Sequence, residues 1–325
     1  MYYVRIFLQY TVTLLVVLTA NFLLPRLAPG NPINALLGSD VVENMTKDQM
    51  QRIMEEFDLH LPLWQQYLHY LTSFIHGDLG NSILLGMPVS QVLVQRLPWT
   101  LLLMGGALVF STVVGSLLGA YSAWRRGRAA DLATISGVLF VGSLPPFWLA
   151  MMLIILFSTT LQWLPSYGAY PIGTPAGSWA WYIGVAKRLV MPTLALGVVM
   201  AANVLLIARS ATMMALDQDY VTFARAKGLS ERRIFFGHAF RNALLPLVTN
   251  VMMSIGSLVG GALVIETVFS YPGLGSLIVM AVNSRDYNLL QGVFILVSLS
   301  VIIANLVADL MYPLIDPRTA EVDPI

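Results

Sequence analysis

Cysteine is absent from the 325 residues. Disulfides, thiolate nucleophiles and cysteine-based zinc or iron–sulfur sites are thereby excluded. Charge is also scarce. Asp, Glu, Lys and Arg make up 11% of the chain and hydrophobic residues 57%, whereas a soluble domain carries about a quarter charged residues. Too few polar groups remain to cover a soluble surface or to solvate a disordered chain. Net charge is +1, so no bulk field draws nucleic acid. Lysine occurs only as Lys47, Lys187 and Lys227, and none follows a glycine. A phosphate-binding Gly-x-x-x-x-Gly-Lys-Ser/Thr loop cannot be built, so a nucleotide-hydrolysing site of that kind is excluded from this chain.

What is present is apolar and arranged in long runs. No charge lies between Arg5 and Arg26, between Arg96 and Arg125, or over Leu132–Ala186, Leu189–Ala208, Asn242–Ile265 and Tyr287–Ala308. A membrane-crossing helix needs about 20 such residues. The runs predict an all-α polytopic membrane protein with six spans, at 7–27, 100–124, 132–159, 189–210, 243–266 and 288–312. The third span is expected to kink or split at Pro145-Pro146. Residues 161–186 hold three prolines and six aromatics, including Trp163, Trp179 and Trp181. They read as an interfacial loop with an aromatic belt. Thr267–Ser284, with its Tyr271-Pro272-Gly273 turn, reads as a half-inserted or surface-lying segment.

Basic residues set the orientation. Arg125, Arg126, Arg128, Arg225, Lys227, Arg232, Arg233 and Arg241 cluster after spans two and four, and Arg5 and Arg318 lie at the ends. The positive-inside rule makes these cytoplasmic, so both termini are expected inside. The opposite side holds Arg26, Lys47, Arg52, Arg96, Lys187, Arg188 and Arg285. The N-terminal apolar segment lacks a small-x-small cleavage site and reads as a retained first span. The expected division is a first span at 1–27, an external helical subdomain at 28–99, a transmembrane core at 100–318 and a cytoplasmic tail at 319–325.

In the outer loop, Thr46 and Gln49 fit a capping box opening a helix through Phe57. Pro62, followed by Leu63, Trp64, Tyr67, Leu68, Leu71, Phe74 and a terminating Gly77, predicts a second helix. His60, His69 and His76 lie here, at spacings that match no ligand motif. The loop after span four reads Asp217-Gln218-Asp219-Tyr220-Val221-Thr222-Phe223-Ala224-Arg225-Ala226-Lys227-Gly228-Leu229-Ser230. It predicts a short amphipathic helix with acids at its positive end, bases at its negative end and Gly228 at the C′ position. Ala224 and Ala226 would admit another backbone closely. A second helical run is expected from Glu231 to Arg241. Such a loop suits insertion into a cleft of a soluble partner, or serves only as a solvated connector.

Asp219-Tyr220 through Ala226-Lys227-Gly228-Leu229-Ser230, then His238 to Pro246, resembles the coupling motif of ATP-binding-cassette importer permeases. The likeness is to the dipeptide, oligopeptide and nickel branch, and to the first of its two permeases. Further matches are Arg26–Pro32, His76-Gly77-Asp78-Leu79-Gly80, Arg96-Leu97-Pro98, Ser143–Trp148, Leu164-Pro165, Glu266–Gly275, Arg285-Asp286-Tyr287 and Asp316-Pro317-Arg318. Two departures stand out: Thr222-Phe223-Ala224 replaces Glu-Ala-Ala, with Arg241 further on, and Asn31 replaces an acidic turn residue, which it can do equally well.

The resemblance implies an importer in the bacterial inner membrane. A second permease, two cytosolic ATPase subunits and an external binding protein would be its partners. No cofactor is expected in this chain, ATP and magnesium being held by the ATPases. Asp219, Tyr220, Ala224, Arg225, Ala226, Lys227, Gly228 and Glu231 would couple to the ATPase. Glu266, Pro272, Gly273 and Arg209 are the candidates for a gate or pathway. Peptides are the first choice of substrate, with nickel chelates and glutathione-like compounds as alternatives. An ion-coupled secondary transporter is the rival class and would place paired ionisable groups at mid-membrane; Arg209, Glu266 and Asp309 are its candidates. An intramembrane protease would need catalytic pairs within spans, and no histidine lies in any predicted span. Met151, Met152, Met200, Met213, Met214, Met252 and Met253 read as core packing rather than as an adaptable substrate surface.

Overall fold

A computed structural model describes residues 2–27, 45–46, 48–51, 61–82, 84–258, 262–284 and 286–315. Nearly all regular structure among these is helical, with one isolated bridge pairing Asn81 and Pro88. The helices are α1 (Tyr2–Leu27), α2 (Leu63–Ile75), α3 (Val89–Trp124), α4 (Ala129–Gly142), α5 (Pro146–Leu153), α6 (Trp179–Leu216), α7 (Asp219–Ala226), α8 (Glu231–Ile234), α9 (Phe240–Ser257), α10 (Leu263–Val268), α11 (Leu274–Asn283) and α12 (Tyr287–Ile315). Short π-helical pieces, Ile154–Thr160 and Phe235–Ala239, follow α5 and α8.

Among the described residues, three helices are long and apolar enough to cross a membrane: α3, α6 and Tyr287–Val307 of α12. Their mean hydropathies are 2.1, 2.2 and 2.3. A fourth candidate is the pair α4 and α5 with its π-helical extension, bent by 93°. The bend falls at the expected prolines. Pro145 is extended at φ −60° and ψ 133° before Pro146 opens α5, because a residue preceding proline is pushed out of the helical region.

Two expectations need correction. The stretch 161–186 is not all loop: α6 begins at Trp179, where Ser178 Oγ accepts a hydrogen bond from Trp181 N–H. Lys187 and Arg188 therefore lie inside a 38-residue helix and do not mark its start. The run 243–266 is also not one helix. It divides into α9 and the separate six-residue α10, and the sequence between them carries glycines at 260 and 261, which have low helix propensity.

Contacts group the chain into two units, residues 1–98 with 276–325, and residues 99–275. In the first, α1 packs on α12. Asn21 donates to the Gln291 carbonyl at 3.0 Å and to the Tyr70 hydroxyl at 3.3 Å, and the Gln291 amide donates back to the Asn21 carbonyl at 3.4 Å. Phe22 sits between the rings of Tyr67 and Tyr70. Asp286, buried, caps α12 by accepting Leu289 N–H, and also accepts from Ser82 Oγ at 2.6 Å and Leu84 N–H at 3.1 Å. The expected capping box is present: Thr46 N–H donates to Gln49 Oε1 at 2.9 Å, and Gln49 N–H returns to Thr46 Oγ1 at 3.4 Å. Its continuation to Phe57, and His60, lie outside the described residues. The second outer helix is α2, ending before Gly77 at φ +74°.

In the second unit, α3 and α6 approach closely. A Cβ at Gly115 would stand 2.7 Å from Val204 Cβ, and one at Gly119 2.7 Å from Ala208 Cβ. The Gly-x-x-x-Gly spacing lets two helix backbones touch. Val204 and Ala208 in turn pack with Leu247 of α9. Leu103, Met191, Ala195, Ile265, Phe269 and Tyr271 form the main core of this unit. The methionine expectation fails for five of seven: Met151, Met152, Met214, Met252 and Met253 are exposed on this chain, while Met200 and Met213 are half-buried.

Candidate functional site

The loop after α6 folds as a self-contained hook. Asp219 opens α7 and Arg225 stands in its last turn, complementing the helix dipole at both ends. Gly228, at φ +77°, closes it. Gly228 N–H donates to the Arg225 carbonyl at 2.9 Å and Leu229 N–H to the Ala224 carbonyl at 3.3 Å. These two bonds are the Schellman arrangement, which needs a left-handed residue at C′. Open space surrounds Gly228, so its requirement is backbone conformation alone.

Val221, Ala224 and Ile234 are buried together, with Leu229 packed against them. Ala224 therefore turns inward, and the neighbour it admits is Ile234 of this chain. Ala226 remains exposed. Arg225 and Glu231 form a two-point ion pair, Nε to Oε1 at 2.8 Å and Nη2 to Oε2 at 3.3 Å. Hydrogen bonding from Arg225 holds the Glu231 carboxyl below the usual 4.5, and the same contact pushes the Arg225 guanidinium up. Behind the hook, Arg126 meets Asp217 at 3.3 Å. The second helical run is present but composite: α8, a π-helical turn and then α9. Outward stand Tyr220 and Phe223, with Lys227 Nζ 4.7 Å from the Phe223 ring centre. The result is a self-packed hook with an aromatic and cationic outer face.

Glu266, a gate candidate beside the Pro272-Gly273 turn, is fully buried beneath that turn. Thr100 Oγ1 donates to Glu266 Oε1 at 3.0 Å and accepts Leu274 N–H at 2.7 Å. Tyr271 N–H donates to the Glu266 carbonyl at 2.7 Å. A Cβ on Gly273 would collide with the Glu266 carboxylate, and one on Gly275 would stand 2.6 Å from Leu263 Cα. Gly273 and Gly275 thus let the turn lie flat over a buried acid. Ser270 adopts φ +49° to enter it, and the Phe269 carbonyl accepts Gly168 N–H at 2.9 Å. Trp99 faces Tyr170, Trp181 and Tyr271 around this knot.

Arg209 shares no partner with Glu266 among the described contacts. It binds Asp131 through Nε at 3.1 Å and Nη2 at 3.0 Å, and Nε also reaches Ser122 Oγ at 3.1 Å. Ser122 donates to the same carboxylate, as does Gly127 N–H at 3.1 Å. This cluster joins the end of α3, the start of α4 and the lower part of α6. Sequence reasoning did not single out Asp131, Ser122 or Thr100. The available signal was an arginine inside an otherwise uncharged run, which demands an acidic partner. The side chain of Asp309 lies outside the described residues.

The family described as "Binding-protein-dependent transport system inner membrane component" matches residues 115–321. Among curated proteins, the chain is 34% identical to the dipeptide transport system permease protein DppB of Escherichia coli (strain K12), over 92% of each sequence. It is 37% identical to the "Probable peptide ABC transporter permease protein y4tP" of Sinorhizobium fredii, over 91% of this chain and 92% of that one. Among solved structures it resembles a chain of the inward-facing MetNI methionine ABC transporter. That match has a TM-score of 0.54 and 18% identity, covering 70% of this chain and 97% of the other. At that identity the likeness speaks for the fold.

Proposed function

This chain belongs to the binding-protein-dependent transport system inner membrane component family, and from that premise we propose that it is a permease subunit of an ATP-driven peptide importer. The carrying observation is the hook at Asp219–Ser230. It is closed by its own Schellman bonds and its own Val221–Ala224–Ile234 core, and presents Tyr220, Phe223 and Lys227 outward. A connector that only bridged two helices would have no need of a fixed exposed face. In this reading the hook seats in a groove of a cytosolic ATPase subunit, and closure of the ATPase pair on ATP and magnesium moves the membrane helices as rigid bodies.

The full assembly in this reading holds a second permease, two ATPases and an external peptide-binding protein. The six crossings are α1, α3, α4 with α5, α6, α9 and α12, and both termini face the cytoplasm. Basic residues around the hook and after α3 support that orientation through the positive-inside rule. At about 1.5 Å per residue, α9 is about 27 Å long, close to the hydrocarbon thickness. Peptide as substrate rests on the peptide and dipeptide names of the relatives.

The test is reconstitution with the neighbouring subunits. Replacing Tyr220 and Phe223 by Ala should abolish peptide uptake and uncouple ATP hydrolysis from the loaded binding protein, with the complex still assembled. Normal uptake by that variant would remove the coupling role. Uptake by this chain alone, without ATP, would assign it instead to ion-coupled transport. The molecule that co-purifies with the binding protein identifies the substrate.

A further inference from the structure

An apolar groove lies where α3 ends. Leu117, Tyr121 and Trp124 of α3 form one wall, and Phe235, Phe236 and Phe240 form the other. Its volume is about 110 Å³. Trp124 stacks on Phe235 at 5.1 Å, and Phe236 stands edge-on to Trp124 at 6.1 Å. Leu117, Tyr121 and Phe236 are exposed on this chain, so the groove is open.

Arg125 stands at its edge. Its guanidinium lies 5.6 Å from the Trp124 ring centre and 5.9 Å from that of Tyr121. Arg126 is paired with Asp217, Arg209 with Asp131 and Arg225 with Glu231, whereas Arg128, Arg232 and Arg233 form no ion pair among the described residues. Arg125 has no carboxylate partner among the described residues, and its Nε is buried without a hydrogen-bond acceptor. A cation fixed by two rings at the rim of a hydrocarbon-lined groove lacks one complement, an anion joined to an apolar chain.

We propose that this groove binds an anionic phospholipid of the bilayer, with its phosphate on Arg125 and one acyl chain against Tyr121, Trp124 and Phe236. Tyr and Trp favour the headgroup level of a membrane, and basic pockets between helices at the cytoplasmic face suit anionic headgroups. The aromatic walls supply a slot that a bulk-membrane lipid would otherwise find only among other lipids. The inference rests on the membrane reading and is independent of the transported molecule.

The assembled transporter, reconstituted in an equimolar mixture of phosphatidylglycerol and phosphatidylcholine, would be photolabelled with a phosphatidylglycerol bearing a diazirine on its acyl chain. Label should fall on the peptides holding Tyr121 and Phe236. Excess unlabelled phosphatidylglycerol should compete, whereas phosphatidylcholine and inorganic phosphate should not. Loss of one surface arginine weakens anionic-lipid binding by about fivefold, so Arg125→Gln should lower labelling by about that factor while Arg125→Lys largely keeps it. Equal competition by phosphatidylcholine in the unaltered complex would overturn the proposal without reliance on any variant. So would unchanged labelling in Arg125→Gln. Labelling seen only after the subunits are separated would assign the groove to a protein partner, and would equally overturn it. Peptide uptake measured alongside keeps this outcome separate from that of the coupling role.

Discussion

Arg209 and Asp131, 78 residues apart, meet as a two-point ion pair with contacts of 3.0 and 3.1 Å. Asp131 is almost fully buried and Arg209 about four-fifths so. Ser122 and Gly127 complete the carboxylate's partners, so the acid is held by donors from both ends of the α3–α4 turn. Removing one partner leaves the other charge buried and unpaired, at a cost of about 3–5 kcal/mol. Asp131→Ala and Arg209→Ala should each lower the thermal midpoint of the purified complex substantially. Asp131→Leu combined with Arg209→Met should cost less than either single change. Additive losses in the double variant would argue against a direct pair.

Gly228 is needed for its left-handed backbone, since nothing crowds the position of a Cβ. A residue with a side chain costs about 1–2 kcal/mol there, and Asn tolerates that region best. Gly228→Val should therefore impair ATP-coupled uptake far more than Gly228→Asn. Equal activity of the two would show that the Schellman closure does not matter to the hook.

The two faces of α7 should separate in experiment. Val221→Asp places a charge in the pocket with Ala224 and Ile234 and should cost several kcal/mol, seen as proteolysis at the loop. Phe223→Ala removes an exposed ring and should leave protease resistance intact while reducing uptake. Greater protease sensitivity in Phe223→Ala than in Val221→Asp would invert this assignment.

Glu266, Thr100 and Gly273 form one unit. Gly273→Ala forces a methyl into the buried carboxylate, and overpacking of this kind costs about 1–3 kcal/mol. Thr100→Val removes the hydroxyl that serves both Glu266 and Leu274 N–H, at about 1–3 kcal/mol. Because the sites are coupled, the double variant should lose less than the sum. Thermal unfolding of the four proteins measures the cycle.

The Arg225–Glu231 pair gives the hook a pH dependence of known sign. Glu231 has its carboxyl held below the ordinary 4.5, so its contribution is present above that value and is lost as pH falls through the lowered folded-state value. Both side chains are about half exposed or more, so solvent screening keeps the effect below about 1 kcal/mol. Hydrogen exchange in residues 219–231 should rise modestly on acidification below pH 4.5 and stay flat in Glu231→Gln.

Several elements were legible before any coordinates. Gly228 at C′, the break at Pro145-Pro146, the Thr46–Gln49 box and the helix after Pro62 all follow from local backbone chemistry, acting within about one helical turn. The span expected at 189–210 begins too late, because Lys187 and Arg188 end the uncharged run while α6 continues through them. Charges bound an apolar run, but they do not stop a helix whose backbone bonds are all internal. The five exposed methionines depart from the core-packing expectation for a related reason: in a membrane chain, an apolar side chain has no need of the chain's own core.

The sequence by itself determined that this protein lives in a bilayer and is built of helices. Charge is too sparse for water, and a backbone in hydrocarbon must bond to itself. It also determined where the hook lies. The tertiary structure decided which distant groups complete one another: Arg209 with Asp131, Glu266 with Thr100 beneath Gly273, Ser82 with Asp286, and Arg125 with rings in place of an acid. Those pairings depend on which helix faces meet, and the Gly115–Gly119 contact with α6 shows how. A missing side chain can be read at its own position, but what it lets approach becomes visible only when the chain is folded.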